Sequence, residues 1–240
     1  MKKKFLLMCF VCFSLLLLGA CSSEQAVPKS GDAPDDIAAV LVGPLPQQGF
    51  KVAEIDGYDY YYDTHYLFKF LCRVFPETPT EEDIREVIWM ELCAVEGREQ
   101  GIDVSSMGTG MLRHTYDSAV EKIAALEEGK EHWDEMPEAD VAELECSWEN
   151  NKAMVANFDT MITAIMEKEG VSEEEFFASL APYEQKYWTA QEYGNDVTWT
   201  LYENGAVDVG EDAAEQNEVA FDDEIDKMFE KYNVVITYNP

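Results

Sequence analysis

The stretch KVAEIDGYDYYYD, residues 51–63, decides how the rest of the chain is read. Val52 and Ile55 are followed by Asp56-Gly57, a pair that readily adopts the left-handed backbone of a tight turn, so a short strand is expected to enter a turn here. Beyond it, Tyr62, Tyr66, Phe70 and Val74 recur every four residues. That spacing predicts a helix over 59–75, closed by Pro76 and Pro79. Tyr60, Tyr61 and Tyr62 cannot all face one side of a helix, so at least one is expected off the core.

Downstream, Thr80-Glu-Glu-Asp83 is a capping-box-like start. Ile84, Val87, Ile88, Leu92 and Val95 then form one apolar helical face, which Gly97 or Gly101 ends. The ending, EGREQGIDVS (96–105), has an echo in EKEGVSEEEF (167–176). Each joins a charged helix end, a glycine, a β-branched residue and a serine able to begin another helix.

A third helix is expected over 107–127 through Leu112, Tyr116, Val120, Ile123 and Leu126, its start weakened by Gly108 and Gly110. Residues 129–140, acidic and containing Pro137, read as a loop. A long helix to about residue 169 follows, with Val155, Phe158, Met161, Ile162, Ile165 and Met166 as its stripe. Ser172 and Glu175 make a capping box for a helix carrying Phe176, Leu180, Tyr183 and Tyr187, which Pro182 bends. Residues 194–219 break the helical pattern. The chain ends in a helix bearing Ile225, Met228, Phe229 and Tyr232, followed by the β-rich run NVVITY (233–238). One strand near each end predicts that the two pair. The fold class is therefore mainly α (α+β), with a small β element.

The N-terminus has a basic MKKK, a short apolar run and Leu18-Gly19-Ala20-Cys21, which resembles the bacterial lipobox. The apolar run is too short for a membrane span and reads as an export signal over 1–20. What the lipobox implies is cleavage before Cys21, lipidation of its sulfur and anchoring to the outer face of the cytoplasmic membrane. Residues 21–48 then form a lipidated tether, polar over 22–36, with a possible small strand in 37–48, and 49–240 form the folded domain. An ordinary signal with an unmodified cysteine is the alternative.

Lysines and arginines number 17 against 49 acids, for a formal net charge of −32. Loss of Lys2, Lys3 and Lys4 with the signal takes this to −35. So acidic a chain repels nucleic acid and anionic headgroups and attracts basic segments or cations, or simply keeps itself dispersed. Cys72, Cys93 and Cys146 remain after the signal and the anchor. On the arms of a helical hairpin, Cys72 and Cys93 would lie roughly 15 Å apart in height, too far to bond. A bond from Cys146 to either stays open.

Four phrases together carry a resemblance. VAEIDGYDYYYD resembles the opening strand, turn and first helix of the SurA-like and PrsA-like foldases. EVIWMELCAVEGREQGIDVS and ITAIMEKEGVSEEEFFASL are similar to that family's next two helix endings, and DKMFEKYNVVI to its C-terminal helix and returning strand. The resemblance covers 51–193 and 220–238 and implies a helical chaperone module. Many relatives carry a parvulin prolyl isomerase domain before the last helix. Here 194–219 is too short to hold one, and no Gly-Gly-x-Leu-Gly phrase occurs. Prolyl isomerase activity is therefore not expected.

No other chemistry stands out. His65, His114 and His132 share no ligand spacing, and the sequence has no nucleophile elbow, phosphate loop or calcium-loop order. Neither catalysis nor a cofactor or metal is expected. Tyr61, Trp89, Met90, Met107, Met111, Trp148 and Met154 lie near or outside the helical stripes. Amphipathic rings and flexible thioethers suit a groove for varied extended peptides, and equally suit a multi-helix core. The expectation is a lipid-anchored extracytoplasmic chaperone binding unfolded or translocated polypeptides, with the acidic charge favouring basic segments. Alternatives are a ligand-capturing lipoprotein of a transport system and a degenerate prolyl isomerase.

Overall fold

The computed structural model describes residues 49–207 and 214–238; the signal, Cys21, the tether and the possible strand in 37–48 lie outside them. The described residues divide into two compact units, one made of 49–62, 78–108, 186–207 and 214–238, the other of Asp63–Glu77 and Thr109–Gln185. It is mainly helical with a small antiparallel sheet, an α+β fold.

In the first unit, β1 (Phe50–Ile55) and β2 (Tyr58–Tyr62) form a hairpin. Its turn is Asp56-Gly57, with φ of 48° and 83°, as a two-residue turn of matching twist requires. The helix expected from residue 59 is thus corrected. Tyr60 and Tyr62 point inward and Tyr61 stays half-exposed, the two-residue alternation of a strand. Aromatic β-propensity beside an Asp-Gly turn outweighs the four-residue spacing. A bulge at Val52 turns its carbonyl to the chain end, where it accepts from the backbone N–H of Thr237 (2.8 Å) and Tyr238 (3.1 Å). Strand β3 (Val235–Ile236) pairs antiparallel with β1, giving the order β2-β1-β3. The first and last described strands therefore meet in one sheet.

Helix α2 (Glu81–Glu99) belongs to this unit; α1 is described below. Thr80 and Asp83 cap α2 reciprocally, and every residue from Val87 to Gly97 is buried. Gly97 does not end the helix. A Cβ there would lie 2.7 Å from Thr189 Cγ2 and 2.9 Å from the Thr189 carbonyl, so glycine permits close helix contact. The stop is Gly101, at φ 72°. Its N–H donates to Arg98 O and that of Ile102 to Gly97 O, closing a Schellman motif. Ser105 begins no helix; its N–H donates to the Asp103 carboxylate in a local turn.

The second unit holds α1 (Thr64–Leu71), capped by Asp63, and α3 (Met111–Gly129). A 3-10 turn (Lys130–Glu135) leads to α4 (Glu138–Glu169), replacing the expected loop, and α5 (Glu173–Ala178) follows. Phe68, Leu112, Phe158, Ile162, Ile165, Phe176 and Leu180 form its core. The second phrase works as read: Gly170, at φ 68°, stops α4, and Ser172 with Glu175 caps α5. Helix α3 starts at Met111 because its first N–H groups find a remote cap, Glu184, which accepts from Gly110 and Leu112 N–H.

Helix α6 (Ala181–Glu203) begins after a break at 179–180, so Pro182 opens a helix instead of bending one. It continues through 194–203, which corrects the expected break. Leu201 is buried, and this packing overrides the weak propensity of NDVTWT. Helix α7 (Ala214–Lys231) completes the first unit. Among the described residues no helix is long and apolar enough to cross a membrane.

Candidate functional site

Trp89 and Met90 on α2, and Met111 at the start of α3, are buried and fill cores instead of lining a groove. Helix α2 is enclosed on all sides, so positions off its main stripe are internal too. Tyr61 on β2 and Met107 in the loop after α2 are half-exposed in the first unit. Trp148 and Met154 are half-buried on α4; Met154 packs on the second unit's core, and Trp148 lies between Lys130 and Lys152, with Nζ 4.0 and 4.1 Å from its ring. The seven residues fall in two units and do not form one surface within either.

The buried carboxylates escaped the sequence reading, because their partners come from distant segments. Glu91 is fully buried; Tyr60 Oη donates to its Oε1 at 3.2 Å, and Lys186 pairs with its Oε2. Burial, with the Glu91 charge, pushes the Tyr60 hydroxyl well above its usual range. Glu96, in the first quoted helix ending, accepts from Tyr232 Oη at 2.6 Å and pairs with Lys231. Burial and then Glu96 raise Tyr232 strongly. In the second unit, buried Lys69 donates to both oxygens of Glu169 (2.7 and 2.8 Å) and lies near the rings of Phe176 and Tyr183.

Each of these groups is engaged with another side chain and serves the packing of its unit. Burial raises the Cys72 and Cys93 thiols, which keeps them protonated and poorly nucleophilic. Cys72, Cys93 and Cys146 are free thiols, and among the described residues no group of three potential ligands could hold a metal.

In the first unit an open depression of about 530 Å³ lies beside β3, with Arg85, Asp226, Glu230 and Asn233 as its polar lining and Phe229, Val234 and Val235 as its apolar one. Arg85 is fixed there: its guanidinium donates to Asp226 Oδ1 at 2.7 Å and lies 5.1 Å from the centre of the Phe229 ring. Asn233 adopts φ 45° and donates to Asp56 Oδ1 at 2.7 Å, tying the α7–β3 turn to the hairpin turn. Val235 is 55% exposed on the short edge strand. An edge strand presents backbone donors and acceptors to an incoming extended chain. Beside it, Phe229, Val234 and Val235 give the depression a small apolar part among its charged residues. No family model, curated protein or solved structure matches the chain.

Proposed function

We propose that the protein is an exported, lipid-anchored, non-catalytic chaperone of SurA/PrsA-like type that holds unfolded or translocated polypeptide segments. The observation supporting this reading is the depression beside β3, where an edge strand and the apolar surface of Phe229, Val234 and Val235 adjoin. Backbone pairing is independent of client sequence, and a shallow open floor accepts side chains of varied size. Part of the element order supports the resemblance, namely a first strand, helices after it and a last strand returning to the first; strand β2 stands where the resemblance implies the start of the first helix. Lipid on Cys21 would keep the protein at the membrane, where exported chains emerge unfolded.

The test uses the soluble chain with Cys21→Ser. It should suppress aggregation of a denatured client at near-stoichiometric ratio and leave peptidyl-prolyl exchange unchanged. Val235→Glu should weaken that protection, whereas Val120→Glu, on α3, should not. Unchanged aggregation together with tight binding of a small solute would instead favour the ligand-capturing lipoprotein. For the anchor, Cys21→Ala should release the protein from membranes.

A further inference from the structure

The last turns of α6 expose an aromatic pair. Trp199 is 60% exposed and Tyr202 44%, their ring centroids 5.6 Å apart and their planes tilted by 35°. At helical spacing, Glu192, Asp196 and Glu203 lie on the same face, with Asp196 and Glu203 exposed. Several aromatic rings elsewhere meet cations of the chain itself. Arg73 lies 4.6 Å from the centre of Phe75, Arg113 4.7 Å from that of Phe177 and Lys231 4.9 Å from that of Tyr232, while Trp148 has its two lysines. Among the described residues no lysine or arginine stacks on Trp199 or Tyr202, and none pairs with Asp196 or Glu203.

The faces of aromatic rings are electronegative, and neighbouring carboxylates deepen that potential. The complementary ligand is a cation on an apolar stem. An inorganic cation holds its water too tightly to gain much from the rings, and a neutral apolar ligand gains nothing from the carboxylates. Anionic lipid and nucleic acid are repelled. Lysine and arginine side chains meet both demands, because their methylenes lie on the rings while the charge reaches the acids.

We infer that the Trp199–Tyr202 face of α6 docks the lysine and arginine side chains of client polypeptides. This rests on the polypeptide-binding reading and names the class of client. The chain's net charge of −32 would draw basic segments toward the surface, with an association rate that falls as salt rises.

The test measures anisotropy of a labelled, extended, arginine-bearing peptide and of the same peptide with citrulline at each arginine, using the soluble Cys21→Ser chain. The arginine peptide should bind roughly tenfold more tightly than the citrulline peptide, the scale of two exposed cation–π contacts. Trp199→Ala with Tyr202→Ala should cut that difference to the roughly threefold that Asp196 and Glu203 supply. Asp196→Asn with Glu203→Gln should weaken arginine-peptide binding roughly threefold and flatten its salt dependence. All four side chains are on the helix surface, and circular dichroism checks that the helices persist. Equal affinity for the two peptides, or an unchanged difference in the aromatic double variant, overturns the inference. So does a wild-type dimer that the aromatic double variant turns into monomer, because a second copy would then cover the face. Client protection by the wild type is scored separately. Protection without arginine preference removes this site and leaves the chaperone reading. Arginine preference that falls in the aromatic double variant, without protection, keeps the site and removes that reading.

Discussion

Helices α2 and α4 both begin with acidic first turns, and both stop at a glycine of positive φ, yet their surroundings are opposite. Along α2 an unbroken run from Val87 to Gly97 is buried. In the much longer α4 only Phe158, Ile162 and Ile165 are. Within its own unit, α2 meets β2 through Tyr60, α6 through Lys186 and Thr189, and α7. Helix α4 packs along α3, with α1 and α5 as its other neighbours. Hydrophobic spacing tells which face of a helix is buried first. The number of neighbours decides how many faces follow.

Enclosure makes α2 intolerant of broken polar pairs, and the largest predicted effect lies there. Lys186→Met leaves the Glu91 carboxylate buried without its cation and should destabilise the protein by about 3–5 kcal/mol. Adding Glu91→Leu should recover most of that loss, since replacing both partners removes the buried charge. Urea denaturation of the single and double variants measures both quantities. If the single variant is as stable as wild type, Glu91 does not depend on Lys186.

The next contrast uses apolar truncations. Leu92→Ala on α2 should cost about 3 kcal/mol, because the side chain is fully buried and leaves a cavity. Ile123→Ala, half-exposed on the second half of α3, should cost less than about 1 kcal/mol. Hydrogen exchange should show the same ranking in the wild type, with α2 amides protected far more than those of 120–145. Equal protection would erase the distinction between the helices.

Much of this frame could be read from the chain, for local reasons. The Asp56-Gly57 turn, the caps at Thr80 and Ser172, and the stop at Gly170 depend on residues a few positions apart. The return of the last strand to the first was legible because each end carried its own β signal. What escaped depended on remote partners. Met111 starts α3 because Glu184 caps it, and Gly97 is small because Thr189 presses on it. The tyrosine run fits both a strand and a helix by spacing, and pairing with β1 decided between them. Trp199 and Tyr202 were passed over because β-branched neighbours hid the helix on which they share a face. The i, i+3 spacing in WTLY was the available signal. The depression beside β3 joins residues from α2, α7 and the final strand, and no local pattern announces it.

The smallest effect probes the dense end of α4, where it meets α1. His65 lies in the first turn of α1, and its buried Nδ1 has no hydrogen-bond partner among the described residues. Burial lowers its pKa, and Lys168 on α4 and Lys69 on α1 act in the same direction. Asp63 and Glu169 oppose them. The unfolded chain therefore binds this proton more readily than the folded one. The stabilising contribution is complete above an unfolded value of about 6.5 and declines as pH falls through it, levelling off below the folded pKa. His65→Gln should give a melting temperature that falls less steeply than wild type between neutral pH and about pH 5; the other titrating groups, common to both chains, cancel in the comparison. Nuclear magnetic resonance titration of the imidazole should place its midpoint below 6.5. A midpoint above that value would mean Asp63 and Glu169 outweigh burial, and the end of α4 would then be as open to water as the stretch that runs beside α3.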